Sequence, residues 1–110
     1  MNKEQTELVT KIERLAESIE ATGFRLVKAY IFGSRAKGAA SEYSDIDAAF
    51  VSPDFHPESM EEWTALLRLC NEVDVRIEPV FYRPEEFTDE DPLAWSIKTT
   101  GMEIPLPRAA

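Results

Sequence analysis

Two aspartates two residues apart, Asp45 and Asp47, are the side chains best suited to chemistry in this sequence. In a β-strand such residues lie on one face of the sheet, about 6.6 Å apart at Cα. Carboxylates at this spacing repel each other unless a cation lies between them, and their oxygens suit Mg²⁺ or Mn²⁺. The pair therefore predicts a divalent metal site, and Ile46 is expected to point to the opposite, buried face.

A loop of small and basic residues, 33–38 (GSRAKG), precedes the aspartates. Gly33 would let a ligand approach the backbone closely, and Ser34 can donate its hydroxyl to a phosphate oxygen. A short helix beginning near Ser34 would direct free N–H groups at the same phosphate. Arg35 and Lys37 either add positive charge to this site or are the charges of a solvated loop. The loop and the aspartates together predict a site for a metal-bound triphosphate.

Two other ligand-binding motifs are excluded. A P-loop needs Lys and then Ser or Thr after its last glycine, where this sequence has Ala39 and Ala40. An EF-hand that began at Asp45 would need glycine in place of Phe50 and glutamate in place of His56.

The hydrophobic pattern predicts the elements that must position these residues. Apolar residues at helical spacing predict a helix over residues 6–20, with Leu8, Ile12, Leu15 and Ile19 as its inner stripe. Strands are predicted over residues 26–32, 46–51 and 73–82. A second helix is predicted to begin near Ser59, with Met60, Trp63, Leu67 and Cys70 on its inner face. One or two short helices are expected over residues 84–100.

The connections between these elements predict the topology. The loop between the first two strands is too short for a helical crossover, so these strands are expected to be antiparallel neighbours. Pro79 cannot donate a ladder hydrogen bond, which predicts an edge or a bulge for the third strand. The expected fold is α+β, a small mixed sheet with helices packed on it, in a single domain over residues 1–110.

Composition limits the partners. The net charge of -9 argues against non-specific binding to nucleic acid and suits a basic protein partner. The single cysteine excludes an intrachain disulfide. Without a signal peptide or an apolar run of about 18 residues, we expect a cytoplasmic protein that does not associate with membranes.

The motif resembles a known signature. Gly33-Ser34, ten further residues and then Asp45-Ile46-Asp47 are similar to the motif of the DNA polymerase beta-type nucleotidyltransferase superfamily. The longer pattern FGSRAKG…SDID especially resembles its minimal (MNT) branch, which implies the palm fold of that superfamily. The segment from Glu78 to Phe87 resembles the family's strand that bears a third carboxylate, which places Glu78 where Asp is usual. Asp74 is the reserve candidate for this position.

The resemblance implies transfer of a nucleoside monophosphate, AMP from ATP, to an acceptor hydroxyl. Asp45, Asp47 and Glu78 would hold two Mg²⁺ ions (or Mn²⁺), and Gly33 and Ser34 would cradle the phosphates. MNT proteins are often encoded beside HEPN-domain proteins, and several pairs are toxin and antitoxin in which a tyrosine of the partner is adenylylated. A HEPN-type partner and an antitoxin role are therefore expected.

Two further interpretations remain open. The substitution at Glu78 favours a binding module that neutralises or scaffolds its partner without catalysis. Modification of a small molecule, as in aminoglycoside nucleotidyltransferases, would require a homo-oligomer, a homodimer, to build the acceptor pocket.

Overall fold

A mixed sheet covered by helices on both faces forms the domain. The computed structural model describes residues 1–38 and 44–106. Within these residues, three helices and four strands follow one another as α1 (Lys3–Ala21), β1 (Lys28–Phe32), β2 (Ile46–Val51), α2 (Met60–Val73), β3 (Ile77–Tyr82), α3 (Pro92–Thr100) and β4 (Met102–Glu103). A single 3₁₀ turn, Gly33–Arg35, follows β1 directly. The α+β prediction is confirmed.

The strands lie in the order β3-β2-β1-β4. β1 and β2 are antiparallel neighbours, as their short connection predicts, whereas β2 and β3 are parallel. β3 forms one edge of the sheet, where Pro79 needs no partner on its outer side. β4 pairs with β1 at the other edge and was not predicted, because two residues are too few to show an alternating pattern.

The core has two parts, one on each face of the sheet. The larger part joins α1 and α2 to the sheet and contains the whole predicted stripe of α1. The smaller part lies under α3 and is formed by Tyr30, Ala49, Val51, Tyr82, Phe87, Ala94 and Ile97. Alternate residues of β2 therefore serve opposite faces, and Asp47 shares the α3 face with Ala49 and Val51.

Two predictions are wrong, one for the start of β3 and one for the inner face of α2. The third strand begins at Ile77 rather than at residue 73, because α2 continues to Val73 and Asp74 caps its end. The buried residues of α2 are Leu66 and Cys70, which confirms Cys70, whereas Met60 and Trp63 are 73% and 38% exposed. Met60 is the first residue of the helix, beyond the end of the core that the helix covers.

Within residues 1–38 and 44–106, no helix combines the length and the hydrophobicity needed to cross a bilayer.

Candidate active site

Asp47 occupies the second position of β2, between the two strands that flank it. Asp47 lies opposite Phe32 in the pairing with β1 and opposite Glu78 in the pairing with β3. Asp45 directly precedes the strand and is exposed, while Asp47 is half-buried. Ile46 between them is fully buried, as predicted. Strand pairing on both sides thus fixes the backbone of Asp47, whereas Asp45 lies just before the first residue of β2.

The electrostatics of Asp47 reflect this placement. Burial raises the pKa of the Asp47 carboxyl above its ordinary value, and the negative charge of Asp45 raises it further. The two carboxylates are therefore near enough to repel each other. A divalent cation held by both would remove this repulsion, so this pair of oxygen donors fits Mg²⁺ or Mn²⁺.

Gly33 packs directly against the Asp47 carboxylate. Its φ of +73° lies in the left-handed region, and a Cβ added to it would come within 2.5 Å of Asp47 Oδ2. The glycine therefore meets two demands, one for its backbone angle and one for space. The 3₁₀ turn that begins at Gly33 brings the exposed Ser34 next to this contact, and Lys37 follows as an exposed residue.

The side chain of Arg35 is buried, whereas the sequence predicts either a charge in the phosphate site or a charge of a solvated loop. Its side chain is only 2% exposed, and one guanidinium nitrogen lies 2.7 Å from Glu4 Oε1. Another donates to the carbonyl oxygen of Ser44 at 2.7 Å. These contacts hold the loop to its surroundings, so the geometry does not support the prediction that Arg35 contacts a phosphate. A buried guanidinium is stabilised by such partners and not by solvent.

Glu78 is the residue predicted to supply the third carboxylate. Glu78 is the register neighbour of Asp47, but its side chain is exposed. Among the described residues, no group of three or more His, Cys, Asp or Glu side chains is arranged to hold a metal ion.

The reserve candidate, Asp74, has a structural role. Its Oδ2 lies 2.7 Å from Lys11 Nζ and 2.7 Å from a guanidinium nitrogen of Arg76. Hydrogen bonds from Arg76, and then from Lys11, hold the pKa of the Asp74 carboxyl well below its ordinary value. Asp74 is therefore committed to the turn between α2 and β3.

Two residues that the sequence analysis missed contact the loop from α1. Glu4 binds Arg35, and the side-chain amide of Gln5 donates to the carbonyl oxygens of Arg35 and Ala36 at 3.3 and 2.9 Å. The pattern of Asn2 and Gln5 marks a capping box, which the structure contains. Nothing in the sequence indicates that this first helical turn meets the loop.

The sequence profile of the family described as nucleotidyltransferase domain matches residues 11–100. A comparison with the sequences of curated proteins found no match.

Two solved structures resemble the fold. One is a protein from Sulfolobus solfataricus assigned as a nucleotidyltransferase, with 19% identity and a TM-score of 0.60, covering 92% of this chain and 82% of that one. The other belongs to a toxin–antitoxin structure with AMP-PNP, with 22% identity and a TM-score of 0.65, covering 91% of this chain and 74% of that one. At these identities the likeness establishes the fold alone.

Proposed function

Since the chain belongs to the nucleotidyltransferase domain family, we propose that it transfers AMP from ATP to an acceptor hydroxyl, which loses its proton as pyrophosphate leaves. One observation carries this proposal. Asp45 and Asp47 flank the buried Ile46 at the start of β2, and a Cβ added to Gly33 would lie only 2.5 Å from Asp47 Oδ2. This arrangement would place a cation site beside a loop whose backbone a phosphate group can approach.

Each residue of the site has a distinct task in this proposal. Asp45 and Asp47 would hold Mg²⁺, and Glu78 would contribute a third carboxylate from the neighbouring strand. When bound, the metal would neutralise the charge that develops on the transferred phosphoryl group and its leaving oxygens. Gly33 and Ser34 would receive the terminal phosphates, and the exposed Lys37 would add positive charge beside them.

The acceptor, in our proposal, is a tyrosine hydroxyl of a HEPN-type partner, and the chain acts as the antitoxin. The similar fold in a toxin–antitoxin structure with a nucleotide analogue supports a nucleotide and a protein partner for this chain, whereas the tyrosine acceptor and the HEPN type rest on the resemblance of the motif alone. The net charge of -9 would favour encounter with a basic partner.

A second candidate function is a binding module that neutralises its partner without catalysis. The exposed side chain of Glu78 favours it, because among the described residues the three acids do not form a ready metal cluster.

The test of the site is Mg²⁺-dependent ATP binding by titration calorimetry. We expect the wild type to bind and the Asp45→Asn/Asp47→Asn variant to lose this binding while remaining folded. Glu17→Gln/Glu90→Gln removes the same charge from two exposed positions and should bind as the wild type does. If the aspartate variant binds equally well, the site is assigned wrongly. A wild type that binds its partner but no Mg·ATP would support the second candidate.

A further inference from the structure

The first turn of α1 holds the loop that carries Gly33 and Ser34. Gln5 donates from Nε2 to the carbonyl oxygens of Arg35 and Ala36, at 3.3 and 2.9 Å. Glu4 Oε1 lies 2.7 Å from the guanidinium of Arg35. The capping box between Asn2 and Gln5 orders this turn, so the groups that bind the loop are themselves fixed.

Arg35 carries this connection onward to the segment that contains Asp45, a proposed metal ligand. Its guanidinium donates to the carbonyl oxygen of Ser44, the residue directly before Asp45, at 2.7 Å. On the other side of Asp45, the amide of Ile46 donates to the carbonyl oxygen of Arg76 at 2.9 Å. Asp45 precedes the regular strand, yet the peptides on both sides of it are held.

The burial of Arg35 makes this geometry specific. Its side chain is 2% exposed, whereas that of Glu4 is 53% exposed. A guanidinium can donate to a carboxylate and a carbonyl at once in fixed directions, which a lysine ammonium on a flexible stem does not reproduce. Arg35 therefore joins three segments that are distant in sequence: the start of α1, the loop after β1 and the start of β2.

We propose that Glu4, Gln5 and Arg35, here called the loop clamp, are positioning residues that set the place of Asp45 relative to Gly33. The inference rests on the proposed function, since it assumes that Asp45 and Gly33 share a metal–nucleotide site. Glu4 and Gln5 precede residues 11–100, the part of the chain that matches the family profile. The clamp would thus extend the site to the first turn of α1, which lies outside the matched residues.

The test compares Arg35→Met, Arg35→Lys and Glu4→Gln with Arg83→Met. Arg83 is a matched control at the opposite end of β3, because it also binds a carboxylate, Glu85, and donates to the backbone carbonyls of Pro53 and Phe55. For each variant, the affinity for Mg²⁺ with a non-hydrolysable ATP analogue and the melting temperature are measured. Hydrogen exchange at the Ile46 amide, in the metal-free protein, reports the start of β2 directly.

We expect Arg35→Met to weaken analogue binding about 10- to 100-fold, the loss typical of groups that orient metal ligands. Arg35→Lys should not restore it, and Glu4→Gln should lower it in the same direction. Exchange at Ile46 should be faster in these variants than in Arg83→Met when the variants are compared at equal global stability. Arg83→Met should lose stability with no change in affinity.

Several results would decide against the clamp. Wild-type affinity and wild-type exchange at Ile46 in folded Arg35→Met would overturn it while leaving the proposed function intact. If Arg35→Met does not fold, Glu4→Gln decides, because it keeps the arginine and removes only the ion pair. If the wild type itself binds no analogue, the proposed function fails, and exchange at Ile46 alone then supports or overturns the positioning.

Discussion

Alanine substitution at Gly33 and at Gly38 tests whether the contact between Gly33 and Asp47 shapes the proposed metal site. Both glycines have a φ of +73°, so replacement by alanine costs each about 1–2 kcal/mol for the left-handed backbone. In a small domain this loss lowers the melting temperature by about 4–8 °C per kcal/mol. On backbone grounds alone, the two alanine variants should be similarly destabilised.

The space around the two glycines differs. A Cβ at Gly38 would make ordinary contacts, 3.4 Å from Asn2 Nδ2 and 3.5 Å from Gln5 Nε2. A Cβ at Gly33 would lie 2.5 Å from Asp47 Oδ2, and ordinary contacts begin at 3.4 Å. The carboxylate oxygen must therefore move by about 0.9 Å, the difference between these two distances. Because that oxygen ends a flexible side chain, we expect the movement to change the proposed metal site more than it changes stability.

We therefore expect Gly33→Ala to lower Mg²⁺-dependent nucleotide transfer about 100-fold, since a displacement near 1 Å at a reacting centre can have this effect. Gly38→Ala should retain activity near that of the wild type. Gly23→Ala is a second control, since Gly23 has a φ of +112° and an added Cβ there meets nothing within 4 Å. Thermal melting and initial rates on the three purified variants supply the comparison. Equal activity in Gly33→Ala and Gly38→Ala would refute the role assigned to the contact with Asp47.

Further substitutions test three individual carboxylates. Because the pKa of Asp47 is raised in the folded protein, stability should fall as pH rises from the ordinary aspartate value. Asp47→Asn should remove this fall and melt higher than the wild type in chelator. The pKa of Asp74 is lowered by Arg76 and Lys11, so its contribution is present above the ordinary aspartate pKa and lost as pH drops. Asp74→Asn should cost about 1.5–3 kcal/mol in urea denaturation at neutral pH and little in acid. Glu78→Gln should lower nucleotide transfer at least about tenfold while Glu78→Asp retains it, and an unaffected Glu78→Gln would remove this residue from the site.

The elements nearest the site could be predicted from the sequence because their signals are local. The stripe of α1 and the buried Ile46 between two acids follow from periodicity, and the structure confirms both. The antiparallel pairing of β1 and β2 follows from the length of their connection. The resemblance of the spaced motif to nucleotidyltransferases is confirmed by the family match over residues 11–100.

The features that could not be predicted depend on contacts between distant segments. Arg35 has the residue type and position of a phosphate contact, and only the docking of α1 shows that its side chain is buried on Glu4. The alternation of Val73, Val75 and Ile77 imitates a strand, yet Val75 is 80% exposed in the turn after α2. The ion pairs of Asp74 fix that turn and could not be inferred from a single segment. The roles of Asp45, Asp47 and Glu78 in binding metal remain predictions.

The proposed nucleotide transfer is tested most directly by following label from α-labelled ATP, with Mg²⁺, to any partner protein that co-purifies with this chain or is encoded by a neighbouring gene. We expect label on a tyrosine of that partner. Label should be absent when Mg²⁺ is chelated or when Asp45→Asn/Asp47→Asn replaces the wild type. Label that persists in the aspartate variant would contradict the assigned site. A stable complex with the partner that acquires no label and binds no Mg·ATP would contradict nucleotide transfer itself.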